Sequence, residues 1–327
     1  MKLGIIGCGR IGSVHGNSVK SIAAAELVAI SDPYLPNAEK LSAETGAQIR
    51  EADQVIEADD IDAIIIATPT TTHYDLIHSA AAAKKAIFCE KPIDMDADKI
   101  RDCMKTVEDN NVAFMTGFNR RFDLNFANVQ ARIAAGEVGN VEIVTILSRD
   151  PSPPPIDYVK TSGGLFRDMM IHDFDMARFL LGEDPISVHA VGSCLVDAEI
   201  GIAGDVDTAA TTLKTASGKI CQISNSRRAT YGYDQRIEVH GSKGLLRAGN
   251  ILENTVECAT ASGFHQAPAM NFFLERYHAA YITELTYFIE CLEAGEPPKP
   301  SAEDGLKAQL IADAATLSMQ EEREVQL

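Results

Sequence analysis

Three polar side chains stand inside one of the most apolar stretches of the chain. In GGLFRDMMIHDFDMARFLLG, residues 163–182, Asp168, His172 and Asp175 are set among Leu165, Phe166, Met169, Ile171, Phe174 and Leu180. Read as one helix, at about 100° per residue, the three fall within a stripe about 60° wide. Asp168 and His172 are then i, i+4 neighbours, so the carboxylate can orient the ring or bond a substrate itself. A neutral imidazole held this way takes a proton from an alcohol near neutral pH. Burying such a stripe without partners is costly, so it is expected to face a cleft. Asp175 is either a third member of the stripe or the partner of Arg178, three residues on. A single histidine on the stripe makes a poor metal site, and none is expected.

A second candidate is the lysine in FCEKPID, where Glu90-Lys91-Pro92 closes an apolar run. The proline keeps residue 91 out of helical geometry, so its ammonium sits on a stiff loop. At the mouth of a sheet it is well placed to touch a bound ligand; the competing reading is a strand-ending surface lysine.

The third is Gly7-Cys8-Gly9-Arg10-Ile11-Gly12, a G-x-G-x-x-G that follows a predicted strand and opens a helix. The first glycine permits the turn, the second admits a pyrophosphate, and the third lets helix and strand approach. The helix N-terminus supplies amide donors for the phosphates. Asp32 ends the next apolar strand, 20 residues after Gly12. A carboxylate there accepts from the ribose hydroxyls and repels a 2′-phosphate, which points to NAD rather than NADP. In ATPTTTH, residues 67–73, Thr68, Pro69 and His73 follow a further strand, where they can line the nicotinamide side. The competing reading makes Thr-Pro-Thr a helix start and His73 a surface residue.

The elements that must position these groups come in two rhythms. Up to residue 118, short apolar runs (2–7, 26–31, 47–49, 62–68, 85–90, 113–117) alternate with amphipathic segments such as DADKIRDCMKTVEDNN. Runs such as Ile64-Ile65-Ile66 suit strands covered on both faces. The expected fold is α/β, with an N-terminal Rossmann doubly wound parallel sheet over 1–118. From 119 to 327 strands follow one another without helices between them, and LKTASGKI reads as a hairpin. That half is expected to be a C-terminal α+β domain with a large open antiparallel sheet. Helices over about 271–294 and 302–321 end the chain, the last with the option of packing back on the first domain.

Composition narrows the function. The chain has 327 residues and a formal net charge of −18, which argues against nucleic acid and anionic membrane surfaces. No apolar run reaches the roughly 20 residues of a membrane span. Seven scattered cysteines suggest a reducing, cytoplasmic setting rather than disulfides, and the N-terminus enters a strand with no room for a signal peptide.

Taken together, GIIGCGRIG, ATPTTTH, CEKPI, GFNRRFD, SRDP, the 163–182 stretch, YGYDQRIEVHGSKG and EDGLKAQLIADAA resemble the glucose–fructose oxidoreductase/inositol dehydrogenase family over nearly the whole chain. The helix motif and SRDP look most like its inositol 2-dehydrogenase branch. The resemblance implies NAD as cofactor, a small polyol as substrate, and a homotetramer or dimer formed through the second sheet. It places the catalytic lysine, aspartate and histidine on Lys91, Asp168 and His172, and further substrate contacts near Arg120, Asp150 and Tyr231. Gly7, Gly9, Arg10, Ile11, Gly12, Asp32, Thr68, Pro69, His73 and Glu90 then form the cofactor side. The reaction implied is oxidation of a secondary hydroxyl of a cyclic polyol, myo-inositol to 2-keto-myo-inositol first among them. The rivals are a sugar or other inositol-isomer dehydrogenase of the same family and, from another class, a non-catalytic NAD- or sugar-binding sensor. A scaffold built on the large sheet leaves the glycine loop unexplained.

Overall fold

Six short apolar runs pair side by side as one parallel sheet in the computed structural model, which describes residues 1–327. They are β1 (Lys2–Ile6), β2 (Glu26–Ser31), β3 (Gln48–Ile49), β4 (Ala63–Ile66), β5 (Ala86–Glu90) and β6 (Phe114–Gly117), in the order β3-β2-β1-β4-β5-β6. Between them run α1 (Arg10–Lys20), α2 (Leu35–Thr45), α3 (Ala52–Ile56), α4 (His73–Ala82) and α5 (Ala97–Asn110). The order reverses at β1, so the carboxyl ends of β1 and β4 open the crevice where ligands bind in such sheets. Every residue of β4 is buried, as its unbroken isoleucines foretell.

Contacts divide the chain into two compact units, residues 1–122 with 279–309, and residues 123–278 with 310–327. The first unit is therefore completed by a late segment. Leu285, Phe288 and Ile289 share one apolar core with Leu3, Ile5, Ile30, Ile65 and Phe88.

In the second unit α6 (Leu124–Ala134) leads into β7 (Val141–Arg149), then α7 (Ile156–Val159), α8 (Gly164–Asp168), α9 (Ile171–Leu181), β8 (Pro185–Ser193) and α10 (Ala198–Ile202). There follow β9 (Thr208–Thr215), β10 (Ile220–Ser226), β11 (Asp234–Gly241), β12 (Gly244–Ala248), β13 (Glu257–Thr260), β14 (Gly263–Gln266) and α11 (Phe273–Arg276). The chain ends with α12 (His278–Ala294), α13 (Ala302–Glu321) and β15 (Val325–Gln326). Seven strands form one sheet in the order β12-β11-β7-β10-β9-β8-β15. Period-2 burial along β9 and β10 places Thr211, Leu213, Cys221 and Ile223 on the inner face.

The structure corrects several expectations. The large sheet is antiparallel except between β7 and β10, which run parallel with Arg149 beside Ser226. The run at 257–260 joins a separate hairpin with β14 and not the large sheet. The helix expected over 163–182 is two, α8 and α9, broken at Met169–Met170. Asp168 and His172 therefore do not share one helical face, and the turn between the helices sets their spacing. The helix expected over 271–294 is likewise divided, at Tyr277.

Candidate active site

The candidate residues fall into two groups, each built within its own unit. In the first, β1 turns sharply into α1. Gly7 has φ +95°, and a Cβ on it would stand 2.6 Å from the Ala67 carbonyl. A Cβ on Gly12 would lie 1.8 Å from the Gly7 oxygen. At Gly9 the same Cβ would meet nothing within 4 Å, so the loop is open on the side where a phosphate would approach. Gly9 gives α1 no side-chain cap and the first turn carries no acid, so the amides and the positive dipole end suit an anion. Arg10 is exposed and Ile11 half-buried at this corner.

Asp32 closes the other side of the loop. Its Oδ2 accepts the Cys8 amide at 2.7 Å and its Oδ1 accepts the Tyr34 amide at 2.8 Å. The acid that would meet a ribose thus also fixes the glycine turn. Burial, with the Asp32 charge adding, pushes the Cys8 thiol up to about 12 and keeps it protonated.

Thr68 and Pro69 follow β4, and Thr72 Oγ1 donates to Thr68 Oγ1 at 2.7 Å. His73 is no surface residue. It is 1% exposed, with Nδ1 2.9 Å from the Pro92 oxygen and Nε2 2.9 Å from the Thr68 oxygen. Burial pushes its pKa down against the pull of those carbonyls, and the ring when neutral donates to only one of the two oxygens. Lys91 is half-buried at the end of β5, and its amide donates to Glu90 Oε2 at 3.2 Å. Glu90 is itself buried and meets His15 Nε2 at 2.7 Å. Arg120 is buried on a short 3-10 turn, residues Asn119–Phe122.

In the second unit the parallel pairing of β7 and β10 does the positioning. Because both strands run the same way in register, Asp150 and Arg227 leave the same sheet edge side by side. Asp150 donates its amide to the Ser226 oxygen at 3.0 Å. Arg227, 1% exposed, points its guanidinium at three carboxylates: Nη2 is 3.2 Å from Asp168 Oδ2 and 4.0 Å from Asp205 Oδ2, and Nη1 is 3.9 Å from Asp150 Oδ2. The second oxygen of Asp168 accepts the Tyr158 hydroxyl at 2.8 Å.

Asp205 also docks α8. Its Oδ1 accepts the Leu165 amide at 2.9 Å, and a Cβ on Gly164, φ +83°, would stand 2.8 Å from that oxygen. His172 is half-buried in the first turn of α9. The next residue, Asp173, is buried and accepts from Asn225 Nδ2 at 2.7 Å, pinning that turn to β10. Asp175 is buried too, while Arg178 meets Asp184 at 2.6 Å. Tyr231 is half-exposed; its hydroxyl donates to Asp234 at 2.7 Å and accepts from Arg149 at 3.1 Å. Burial would raise the Asp234 carboxyl, but Arg236, Tyr231 and Asn250 outweigh it and hold it below the usual range.

The sequence reading missed Arg227, Tyr158 and Asp205. No local pattern marks them; Arg227 is one of two adjacent arginines after a strand, and only the strand pairing tells which side chain turns inward.

Comparison with known proteins gives the family of the chain. Residues 1–118 match the family described as oxidoreductase family, NAD-binding Rossmann fold, and residues 130–327 match its C-terminal alpha/beta domain. An inositol 2-dehydrogenase of Rhizobium meliloti is 53% identical over 100% of this chain and 99% of its own. The crystal structure of a myo-inositol dehydrogenase from Corynebacterium glutamicum superposes with a TM-score of 0.95 at 44% identity, covering 100% of this chain and 98% of that one. A scyllo-inositol dehydrogenase from Lactobacillus casei, solved with NAD(H) and scyllo-inositol, gives a TM-score of 0.92 at 30% identity, covering 100% and 98%.

Proposed function

Since the chain belongs to the GFO/IDH/MocA oxidoreductase family, we propose that it is an NAD-dependent inositol dehydrogenase, oxidising one secondary ring hydroxyl to the ketone, with myo-inositol to 2-keto-myo-inositol the first candidate. The observation that carries the reading is Asp168, held between Tyr158 and buried Arg227 beside the first turn of α9. An acid anchored in this way suits a neighbouring proton acceptor, whereas a sensor has no need for Lys91, Asp168 and His172 together.

In this reading His172 removes the hydroxyl proton and Asp168 steadies the charged ring. Lys91 donates a hydrogen bond to the same oxygen as it becomes a carbonyl. Arg120, Asp150 and Tyr231 bind the remaining hydroxyls. NAD, when bound, accepts the hydride at C4 of its nicotinamide. The loop of Gly7, Gly9, Arg10, Ile11 and Gly12 would hold the pyrophosphate, and Asp32 the ribose. Thr68, Pro69 and Glu90 would line the nicotinamide side, with His73 bracing that wall from behind.

We also propose a homotetramer or dimer through the outer face of the large sheet, where Val191, Thr212 and Gln222 are exposed. A cytoplasmic site is supported by seven free cysteines. No helix is long and apolar enough to cross a membrane.

The test follows NADH absorbance with purified protein, NAD or NADP, and myo-inositol, scyllo-inositol or glucose. NADH from an inositol with NAD alone is the expected result. No NADH from any polyol sinks the reading, and normal turnover by His172→Ala sinks the role of that residue.

A further inference from the structure

Behind Lys91, within the first unit, lies a buried acid–imidazole–acid cluster that the reaction above leaves unused. His15 on α1, Glu90 at the end of β5 and Glu284 on α12 each bring one ligating atom within 4.8 Å of the others, and all three are buried. His15 Nε2 meets Glu90 Oε1 at 2.7 Å, and Glu90 Oε2 accepts the Lys91 amide at 3.2 Å. Gly117 leaves that carboxylate little slack, since a Cβ there would stand 3.1 Å from its Cδ and Oε1. Three buried polar atoms are left over: His15 Nδ1 and both oxygens of Glu284.

Orphaned buried polar atoms are costly, and two adjacent carboxylates in a dry site do not both ionise. If His15 donates from Nε2 to Glu90, its Nδ1 carries a lone pair. Glu284 complements a lone pair only as a donor, that is, as the carboxylic acid.

We propose that Glu284 is a positioning residue for Lys91: as the neutral acid it donates toward His15 Nδ1 through one bridging water, and the ring donates in turn to the Glu90 carboxylate that grips the Lys91 amide. The chain of hydrogen bonds thereby ties the helix of the glycine loop to the lysine loop. Burial, with the Glu90 charge adding, pushes the Glu284 carboxyl well above the usual carboxylate range, which supports the neutral form. The ionisable groups about it are His15 from α1 and Glu90 from β5. Tyr281, one turn back on α12, stacks edge-on to the His15 ring at 5.7 Å. A divalent cation could also neutralise the cluster. The 2.7 Å contact between His15 and Glu90 is already satisfied by a proton, however, and three ligands fall short of the usual four.

The test compares the full-length parent with Glu284→Gln, which keeps the shape and a donor but cannot ionise, and with Glu284→Leu, which removes the donor. Unfolding midpoints are measured from about pH 5 to pH 9, with metal content by mass spectrometry and kcat, KM and NAD affinity. A raised folded pKa means that the parent loses stability as pH rises through this window. Glu284→Gln is expected to lose that decline and to match or exceed the parent at the alkaline end, with kcat within about twofold. Glu284→Leu is expected to lose kcat on the order of tenfold with NAD affinity held.

A metal present in the parent and lost from Glu284→Gln overturns the proposal, and so does a Glu284→Gln as unstable as Glu284→Leu at every pH. Full kcat in Glu284→Leu overturns the positioning role. The kinetic arm rests on the role given to Lys91 above and the stability arm does not. A parent inactive on every polyol therefore refutes that role while the stability arm still judges Glu284.

Discussion

Replacing Arg227 by methionine would take one shared cation away from three carboxylates. At an effective dielectric of about 20, the 3.2 Å pair with Asp168 attracts by about 5 kcal/mol, and the pairs with Asp150 and Asp205 by about 4 kcal/mol each. Most of this is cancelled by taking the guanidinium out of water, since only 2% of its side chain is exposed. Removing one partner of a buried pair nevertheless costs roughly 3–5 kcal/mol, because the charge left behind has nothing to replace it. The low end applies here: Asp205, Asp168 and Asp150 keep 12%, 13% and 23% of their side-chain surface and can partly rehydrate. We therefore expect Arg227→Met to lose about 3 kcal/mol in urea unfolding at pH 7. Asp205→Asn in the same background should restore about 1 kcal/mol, whereas in the parent it should destabilise. With the Arg227 contact to Asp168 gone, kcat should fall on the order of tenfold to a hundredfold with NAD affinity unchanged. Lysine would not substitute, because a single ammonium cannot span three acceptors. A loss below about 1 kcal/mol refutes the reasoning.

Three further outcomes follow from the geometry. Asp32→Ser should weaken NAD by roughly tenfold and admit NADP, since it removes the carboxylate and frees the Cys8 and Tyr34 amides; an unchanged cofactor preference in steady-state kinetics would contradict this. Gly12→Ala should abolish NAD binding by titration while circular dichroism stays native, because its Cβ would sit 1.8 Å from the Gly7 oxygen. Asp207→Asn should cost about 2 kcal/mol: burial alone would raise that carboxyl, but the amides of Leu195, Asp197 and Val196 with Thr208 bring it down to about 2. A depressed pKa stabilises above the unfolded value, so the gap between parent and variant should close as pH falls from about 4 toward 2.

What could be read from the sequence was whatever local chemistry dictates. The glycine loop and Asp32 are contiguous motifs whose strand–turn–helix context is itself local, and β4 announces its burial in three consecutive isoleucines. The 163–182 stretch was harder. Its apolar residues fit a continuous helix, and nothing local forces the break at Met169–Met170; the break serves tertiary partners, with Asp205 docking the first helix and Asn225 the second. Arg227 lay beyond reach for a related reason. Its meaning comes from the parallel register of β7 and β10, two strands separated by some 70 residues of chain. His73 was legible as a candidate for the nicotinamide side, with a surface residue as the competing reading; that two carbonyl oxygens stand against its buried ring is set by the fold and not by the local sequence.

The late segment that completes the first core has a consequence for how the protein is made. Leu285, Phe288 and Ile289 lie more than 160 residues beyond β6, the last strand of the sheet they help to cover. A ribosome that has delivered the whole nucleotide-binding sheet has therefore not delivered its packing. Until roughly nine-tenths of the chain has emerged, part of that apolar surface waits for its cover, and the native order of assembly cannot be simply N-terminal first. Long-range closure of this kind slows folding. Expressing residues 1–122 alone should thus give a domain prone to aggregate, however complete its strand order looks on paper.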